Sequence, residues 1–181
     1  MNKLEKLKQA ILDAGALRAA IVHREDVVCE SSFRTLCEQN SCGVYGKCHM
    51  CPPDVGPIGE LIEIVRSYPA GVLYQNVYPL EDSFDIEGMH EAKQQHNACA
   101  RRIHPLAKGG LHLAAGGCGV CARCSKLDDE PCRFPDRAIS SLEAYGVDVY
   151  RTASNAGLAY ISGPNTVTYF GIVLTQEDEN A

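Results

Sequence analysis

The sequence predicts an α/β fold, a single layered domain with a mixed β-sheet flanked by helices and two cysteine-rich metal-binding loops. Helix-period segments alternate with short apolar runs of strand length, Gly or Pro marks most junctions, and ten cysteines gather mainly in two aperiodic stretches. These stretches span about 29–57 and 116–135. At 181 residues the chain is long enough for one core and short for two, so 1–181 is expected to form one domain.

Residues 2–14 place Leu4, Leu7, Ile11 and Leu12 near helical spacing, and Gly15 ends the pattern as a C-terminal cap. Ala19-Ala20-Ile21-Val22 suits a strand. Residues 26–57 carry Cys, Gly and Pro without periodicity and read as a loop organised by metal. Residues 59–67 suit a helix, and 71–78 a buried strand ended by Pro79. Ser83 is the expected cap of a long helix over 84–107, closed by Gly109-Gly110, and 111–115 is the next strand. After the second cysteine loop, 136–145 reads as a helix stopped by Gly146, 147–150 as extended, 151–158 as a short helix and 166–174 as a final strand. Residues 176–181 form a polar tail. No fixed-period repeat is present, and strand order is not readable.

Composition narrows the function classes. Seventeen Lys and Arg against 23 Asp and Glu leave a net charge of −6 with no basic run, which argues against nucleic acid as a partner. No apolar run approaches the roughly 20 residues that cross a bilayer, so no membrane partner is expected. The opening Met1-Asn2-Lys3-Leu4-Glu5-Lys6 lacks the apolar core of a secretory signal, and a cytoplasmic protein is expected. In a reducing compartment, dense cysteine points to metal or redox chemistry rather than disulfides.

The strongest chemical signal is Cys118-Gly-Val-Cys121-Ala-Arg-Cys124 followed by Cys132-Arg133-Phe134-Pro135. Three cysteines at intervals of three can wrap one face of a cubane and a more distant fourth can close it, a spacing similar to bacterial ferredoxins with a longer last gap. This predicts a [4Fe-4S] cluster. Gly116, Gly117 and Gly119 let the backbone bend around the sulfurs and offer amides, and Arg123 and Arg133 are expected to offset negative charge. A structural zinc site also uses Cys-x2-Cys pairs, although a zinc ribbon draws two ligands from each of two knuckles.

A second ligand-rich loop runs Cys37-Glu-Gln-Asn-Ser-Cys42-Gly-Val-Tyr45-Gly46-Lys47-Cys48-His49-Met50-Cys51-Pro52-Pro53. It lacks the Cys-x3-Cys-x2-Cys spacing of radical S-adenosylmethionine enzymes, which excludes that class. Its Cys-Pro-Pro ending resembles iron–sulfur loops, where proline fixes the exit of the chain.

Cys37-x4-Cys42-Gly-x-Tyr45-Gly46-Lys47-x3-Cys51-Pro52-Pro53, Gly117-Cys118-x2-Cys121-x2-Cys124, Pro131-Cys132-Arg133-x-Pro135 and the stretch from Ser141 to Val149 together resemble the DUF2284 family of predicted metal-binding proteins. The resemblance spans roughly residues 30 to 160 and implies iron–sulfur clusters in a family known mainly from anaerobic bacteria and archaea. Where that family typically has Trp this chain has His49, and Cys48 lies outside the usual pattern. If Cys48 is a ligand, Cys37, Cys42, Cys48 and Cys51 complete a second cluster. If it is not, an iron is left for a substrate, for His49 or Cys29, or for a partner residue. Exchange of a ligand between the loops is a further option.

His23, His90, His96, His104 and His112 stand at no ligand spacing and read as exposed or hydrogen-bonded histidines. Cys29 and Cys99 read as spare thiols, Tyr45 and Tyr150 as rim or core aromatics, and 128–130 and 176–179 as solvated acidic stretches. No Walker A or Gly-x-Gly-x-x-Gly pattern is present.

The expected function is an iron–sulfur protein with two [4Fe-4S] clusters, held by Cys37, Cys42, Cys48, Cys51, Cys118, Cys121, Cys124 and Cys132, that moves electrons to or from a redox partner protein. Alternatives are an enzyme whose first cluster keeps an open iron for a small substrate near Tyr45, Lys47 and His49, and a zinc-binding structural or interaction protein. The acidic balance favours a partner with a basic patch, and a homodimer is compatible with the sequence.

Overall fold

The computed structural model describes residues 2–176, so the acidic run that begins at Gln176 lies outside the described residues beyond that position. Five strands, β1 (Arg18–His23), β2 (Ala70–Pro79), β3 (Leu111–Ala114), β4 (Ser140–Ser141) and β5 (Thr166–Thr175), form one mixed sheet in the order β1-β2-β5-β3-β4. All neighbours are antiparallel except β3 and β4. The helices are α1 (Lys3–Asp13), α2 (Phe33–Glu38), α3 (Ile58–Arg66), α4 (Ile86–Ile103) and α5 (Val149–Asn155). The mixed α/β class expected from the sequence is the class observed. No helix among the described residues is long and apolar enough to cross a membrane.

Period-2 alternation distributes the strands between two cores. Val72 and Tyr74 of β2 pack with Ile11 of α1 and Cys99 and Ile103 of α4, whereas Leu73 packs with Leu113, Leu142, Ile172 and Ala153 on the opposite face. Because both faces are covered, β2 reads as a continuous apolar run instead of an alternating one. Side-chain caps start three helices: Asn2 accepts from the Glu5 amide, Asp85 from Gly88 and Asp148 from Arg151. The amides of Glu81 and Gly88 hold the Asp85 carboxyl below its usual range.

Several sequence expectations are corrected. The cap of α4 is Asp85, not Ser83, and the α-helix ends at Ile103, passing into a 3-10 turn over His104–Ala107 as Pro105 interrupts the ladder. The loop over 26–57 contains α2. The helix expected over 136–145 is absent: this stretch holds a 3-10 turn at Pro135–Arg137, strand β4 and a second turn at Glu143–Tyr145. Its apolar spacing is explained by burial of Ile139, Leu142 and Ala144 against the sheet, a tertiary demand that imitates helical period. Gly146 still ends the segment, in the left-handed region at φ 75°. Val147 is bridged to Cys29, but helix α5 begins at Val149, two residues before the expected start.

Beneath α4 lies a buried polar chain. His104 Nε2–H donates to the Asp136 carbonyl (3.1 Å), so in its neutral form Nδ1 accepts from His112 Nδ1–H (3.1 Å), and His112 Nε2 accepts from the Tyr74 hydroxyl (2.8 Å). The Tyr74 ring lies over Gly171, where a Cβ would meet the phenol at 2.2 Å. Burial pushes His112 down to about 3, reinforced by His104 and His96, and pushes His96 down to about 4.

Two outcomes follow from this core. Gly171→Ala forces a methyl into a fully buried ring and should cost about 3 kcal/mol in denaturant unfolding, and a loss below about 0.5 kcal/mol would show that the ring can move aside. Below pH 6.5 the unfolded chain protonates His112 before the folded one, so stability is full above that pH and falls as pH drops toward the folded value. The stability advantage of wild type over His112→Gln should therefore shrink by up to about 1.4 kcal/mol per pH unit between roughly pH 6 and 4. A difference independent of pH would show that His112 is not held neutral.

Candidate metal centres

The first cysteine loop is shaped by short-range hydrogen bonds. Cys37 lies in the last turn of α2, whose Arg34 donates to the Gly56 carbonyl (2.8 Å) and anchors the helix across the loop. Asn40, in the left-handed region at φ 53°, accepts the Tyr45 amide on its side chain (3.0 Å). The Gly46 amide donates to the Pro52 carbonyl (2.9 Å) and the Cys51 amide to the Cys48 carbonyl (3.0 Å), a closed turn that draws Cys48 and Cys51 inward. They are 6% and 5% exposed, against an exposed Cys42.

The second loop leaves the sheet where β3 and β4 run parallel, with Ala114 opposite Ser141. Parallel pairing sends both strands out at the same end, so Gly116-Gly117-Cys118 and Glu143 emerge side by side. Gly116 turns the chain at φ +73°, and a Cβ there would meet Lys93 Cε of α4 at 2.7 Å, so the glycine also makes room for this lysine. Ser125 Oγ–H donates to the Pro131 carbonyl (2.8 Å), which brings the Cys132 strand back beside Cys124. Lys126 pairs with Asp54 at 2.6 Å and His49 Nε2–H donates to the Glu130 carbonyl at 2.8 Å, two links that hold one cysteine loop against the other.

Between these loops lie two cavities. The first, about 310 Å³, is lined by Cys37, Cys42 and Cys51 together with Tyr45, Lys93 and Glu143. The second, about 270 Å³, is lined by Cys118, Cys121, Cys124 and Cys132, and also by Cys48. Val44 and Gly117 line both, and a Cβ on Gly117 would lie 3.5 Å from Cys51 Sγ. The cavities therefore share part of their boundary at Val44 and Gly117.

All eight cysteines singled out in the sequence are thus gathered around the two cavities, but as three and five instead of four and four. Cys48 does not join Cys37 and Cys42. His49 lines the second cavity, not the first. Cys29, bridged to Val147 at the edge of one core, and Cys99, buried beside Tyr74 in the other, line neither. Tyr150 stacks edge-on against Tyr160 at 5.5 Å, also away from both. Arg123 and Arg133 are not free to balance charge inside: each is paired with Asp128 at the rim, and Arg133 also with Glu130.

Hydrogen bonds and burial together set the proton affinities of the thiols. Cys48 takes a hydrogen bond from the Cys51 thiol and others from the Met50 and Cys118 amides and Cys124, which pull it down to about 5 against the opposing effect of burial. Cys51, which gives its proton to that bond, is held far above the usual thiol range. Burial raises Cys118 while the amides of Ile139 and Val120 oppose the rise, and burial raises Cys37 against the charge of Arg34. Glu143 is pushed up by burial, partly countered by bonds from its own amide and Ser141 and by the charge of Lys93. A sulfur-rich donor set with amides aimed at the sulfurs fits thiolate-bound metal, and no three His, Cys, Asp or Glu side chains among the described residues are drawn together around a single ion position.

Lys93, Ser141 and Glu143 were not legible as site residues, because Lys93 sits on a helix and the other two in a segment with helical spacing. The available signal was weak: Ser141 and Glu143 lie within the motif that resembles DUF2284. No curated protein and no solved structure matches the chain. The model of one family, described as predicted metal-binding protein (DUF2284), matches residues 20–175, nearly all of the sheet and both cysteine loops. With that match covering most of its length, the chain belongs to the DUF2284 family of predicted metal-binding proteins.

Proposed function

We propose that this metal-binding protein is an iron–sulfur redox protein holding a [4Fe-4S] cluster in each cavity and exchanging electrons with a partner protein. The observation that carries the reading is the pair of cysteine-lined cavities sharing Val44 and Gly117 as a common wall. Bound there, such clusters supply one-electron redox chemistry. Cys118, Cys121, Cys124 and Cys132, with Cys48 beside them, would hold one cluster, and Cys37, Cys42 and Cys51 the other.

The chain's own residues support this use. Amides of Met50 and Cys118 favour negative charge on Cys48, and those of Val120 and Ile139 oppose the rise that burial imposes on Cys118, the lever by which a protein tunes such sites. Cys48 and Cys51, three residues apart in one turn, line the second and the first cavity respectively. A zinc scaffold is the competing reading, yet tetrahedral zinc with bonds of about 2.3 Å draws its sulfurs to one point, whereas these cysteines surround cavities of about 270 and 310 Å³. The net charge of −6 favours a partner with a basic face.

Iron, acid-labile sulfide and zinc per chain, measured on protein purified without oxygen, test the reading. Roughly eight iron with matching sulfide are expected in wild type and in Cys99→Ser, and about half in Cys124→Ser. Zinc without sulfide would leave the scaffold instead. Double variants assign Cys48: Cys48→Ser with Cys124→Ser should lose no more iron than Cys124→Ser alone, while Cys51→Ser with Cys124→Ser should lose nearly all. Complete loss in the first pair would put Cys48 among the ligands of the first cavity.

A further inference from the structure

We propose that the first cavity binds a small 2-hydroxy carboxylate at the coordination position its three cysteines leave open, with Lys93 as the partner of the carboxylate and Glu143 and Ser141 as partners of the hydroxyl. This rests on the reading of that cavity as a cluster site.

The two cavities differ in what they still offer. The second holds five cysteines, one more than a cubane uses. Apart from Lys47, its polar side chains are committed: His49 to the Glu130 carbonyl, Arg123 to Asp128 and Ser125 to the Pro131 carbonyl. The first cavity holds three cysteines, one fewer than a cubane uses, in a slightly larger space. Cys29 and His49, the sequence candidates for its fourth ligand, do not line it. An iron without a protein sulfur takes oxygen donors and acts on them as a Lewis acid.

The wall around that position carries opposite charges that form no salt bridge, although the charge of Lys93 favours the ionised form of Glu143. Lys93 enters beside Gly116 and makes no hydrogen bond or salt bridge among the described residues. Glu143, half-buried, lines the same cavity with Ser141, whose Oγ accepts the Ala144 amide (3.0 Å) and keeps one acceptor position for a ligand hydroxyl. An ammonium alone would suit any anion, and a carboxyl with a serine hydroxyl suits a neutral hydroxyl group. A 2-hydroxy carboxylate carries both functions on adjacent carbons and can offer both oxygens to one metal position. It offers a partner to Lys93, Glu143 and Ser141 together.

The test uses the anaerobically purified holoprotein with DL-lactate as probe and acetate as the single-donor control. Lactate should shift one of the two EPR signals of the reduced protein, acetate should do so only at much higher concentration, and Lys93→Met should raise the half-saturating lactate concentration about tenfold or more while keeping the iron content. Glu143→Gln should also keep all its iron. A protein with roughly eight iron whose spectrum ignores lactate overturns the inference and leaves the two-cluster reading standing. Equal lactate affinity in Lys93→Met overturns it as well. Loss of iron in Glu143→Gln would make Glu143 a resident ligand and close the position. Absence of iron and sulfide from wild type would remove the cluster reading itself, and the inference with it.

Discussion

β5 enters the sheet last and lies within it, paired with β2 over ten consecutive positions from Ala70 opposite Thr175 to Pro79 opposite Thr166, and with β3 on its other edge. The chain between β2 and β5 contains α4, β3, the whole second cysteine loop and β4, so closing this ladder must overcome the entropy of a long loop. Burial of Leu73, Val72, Ile172 and Val173 at 0–1% exposure supplies the offset. With β5 in place, β3 has a fixed edge, β4 can pair parallel to it, and both leave the sheet at one end. Both cysteine loops meet around that exit.

The glycines at this end have separate physical jobs. Gly171 leaves space for the Tyr74 ring, which fixes the buried hydroxyl–imidazole chain and the seat of α4. Gly116 bends the chain in a conformation other residues resist and admits Lys93. Gly117 lines both cavities, and a Cβ there would stand in ordinary contact with Cys51 sulfur at 3.5 Å. Two sites this close are electrostatically coupled, since a charge placed in one is felt across the wall in the other. The unequal distribution of cysteines gives them different chemical characters despite that proximity.

Local signals were strong where one face or both faces of an element are buried along its length. The period of Leu4, Leu7 and Ile11, the apolar run of β2 and the alternation of β5 each identified their element within a residue or two. The signal failed over 136–145, where Ile139, Leu142 and Ala144 are buried along a stretch that passes through a 3-10 turn, the short β4 and a second 3-10 turn. It also failed for α2, six residues with none buried and hence no period to read. At the site, the clustering of cysteines in two loops singled out the eight that line the cavities, while their assignment to one cavity or the other did not follow from spacing.

What spacing could not convey is direction. Cys48 and Cys51 are three residues apart in one tight turn, yet they line different cavities. The sequence by itself determined the α/β class, the elements with sustained periodicity and the thiol-rich chemistry of the two loops, since these depend on residue type and local repeat. Only the tertiary structure decided that Cys48 lines the same cavity as Cys118, that Lys93 and Glu143 come to the other, and that β5 is inserted between β2 and β3. Those arrangements depend on contacts between residues tens of positions apart, and a linear pattern carries no record of which of them will meet.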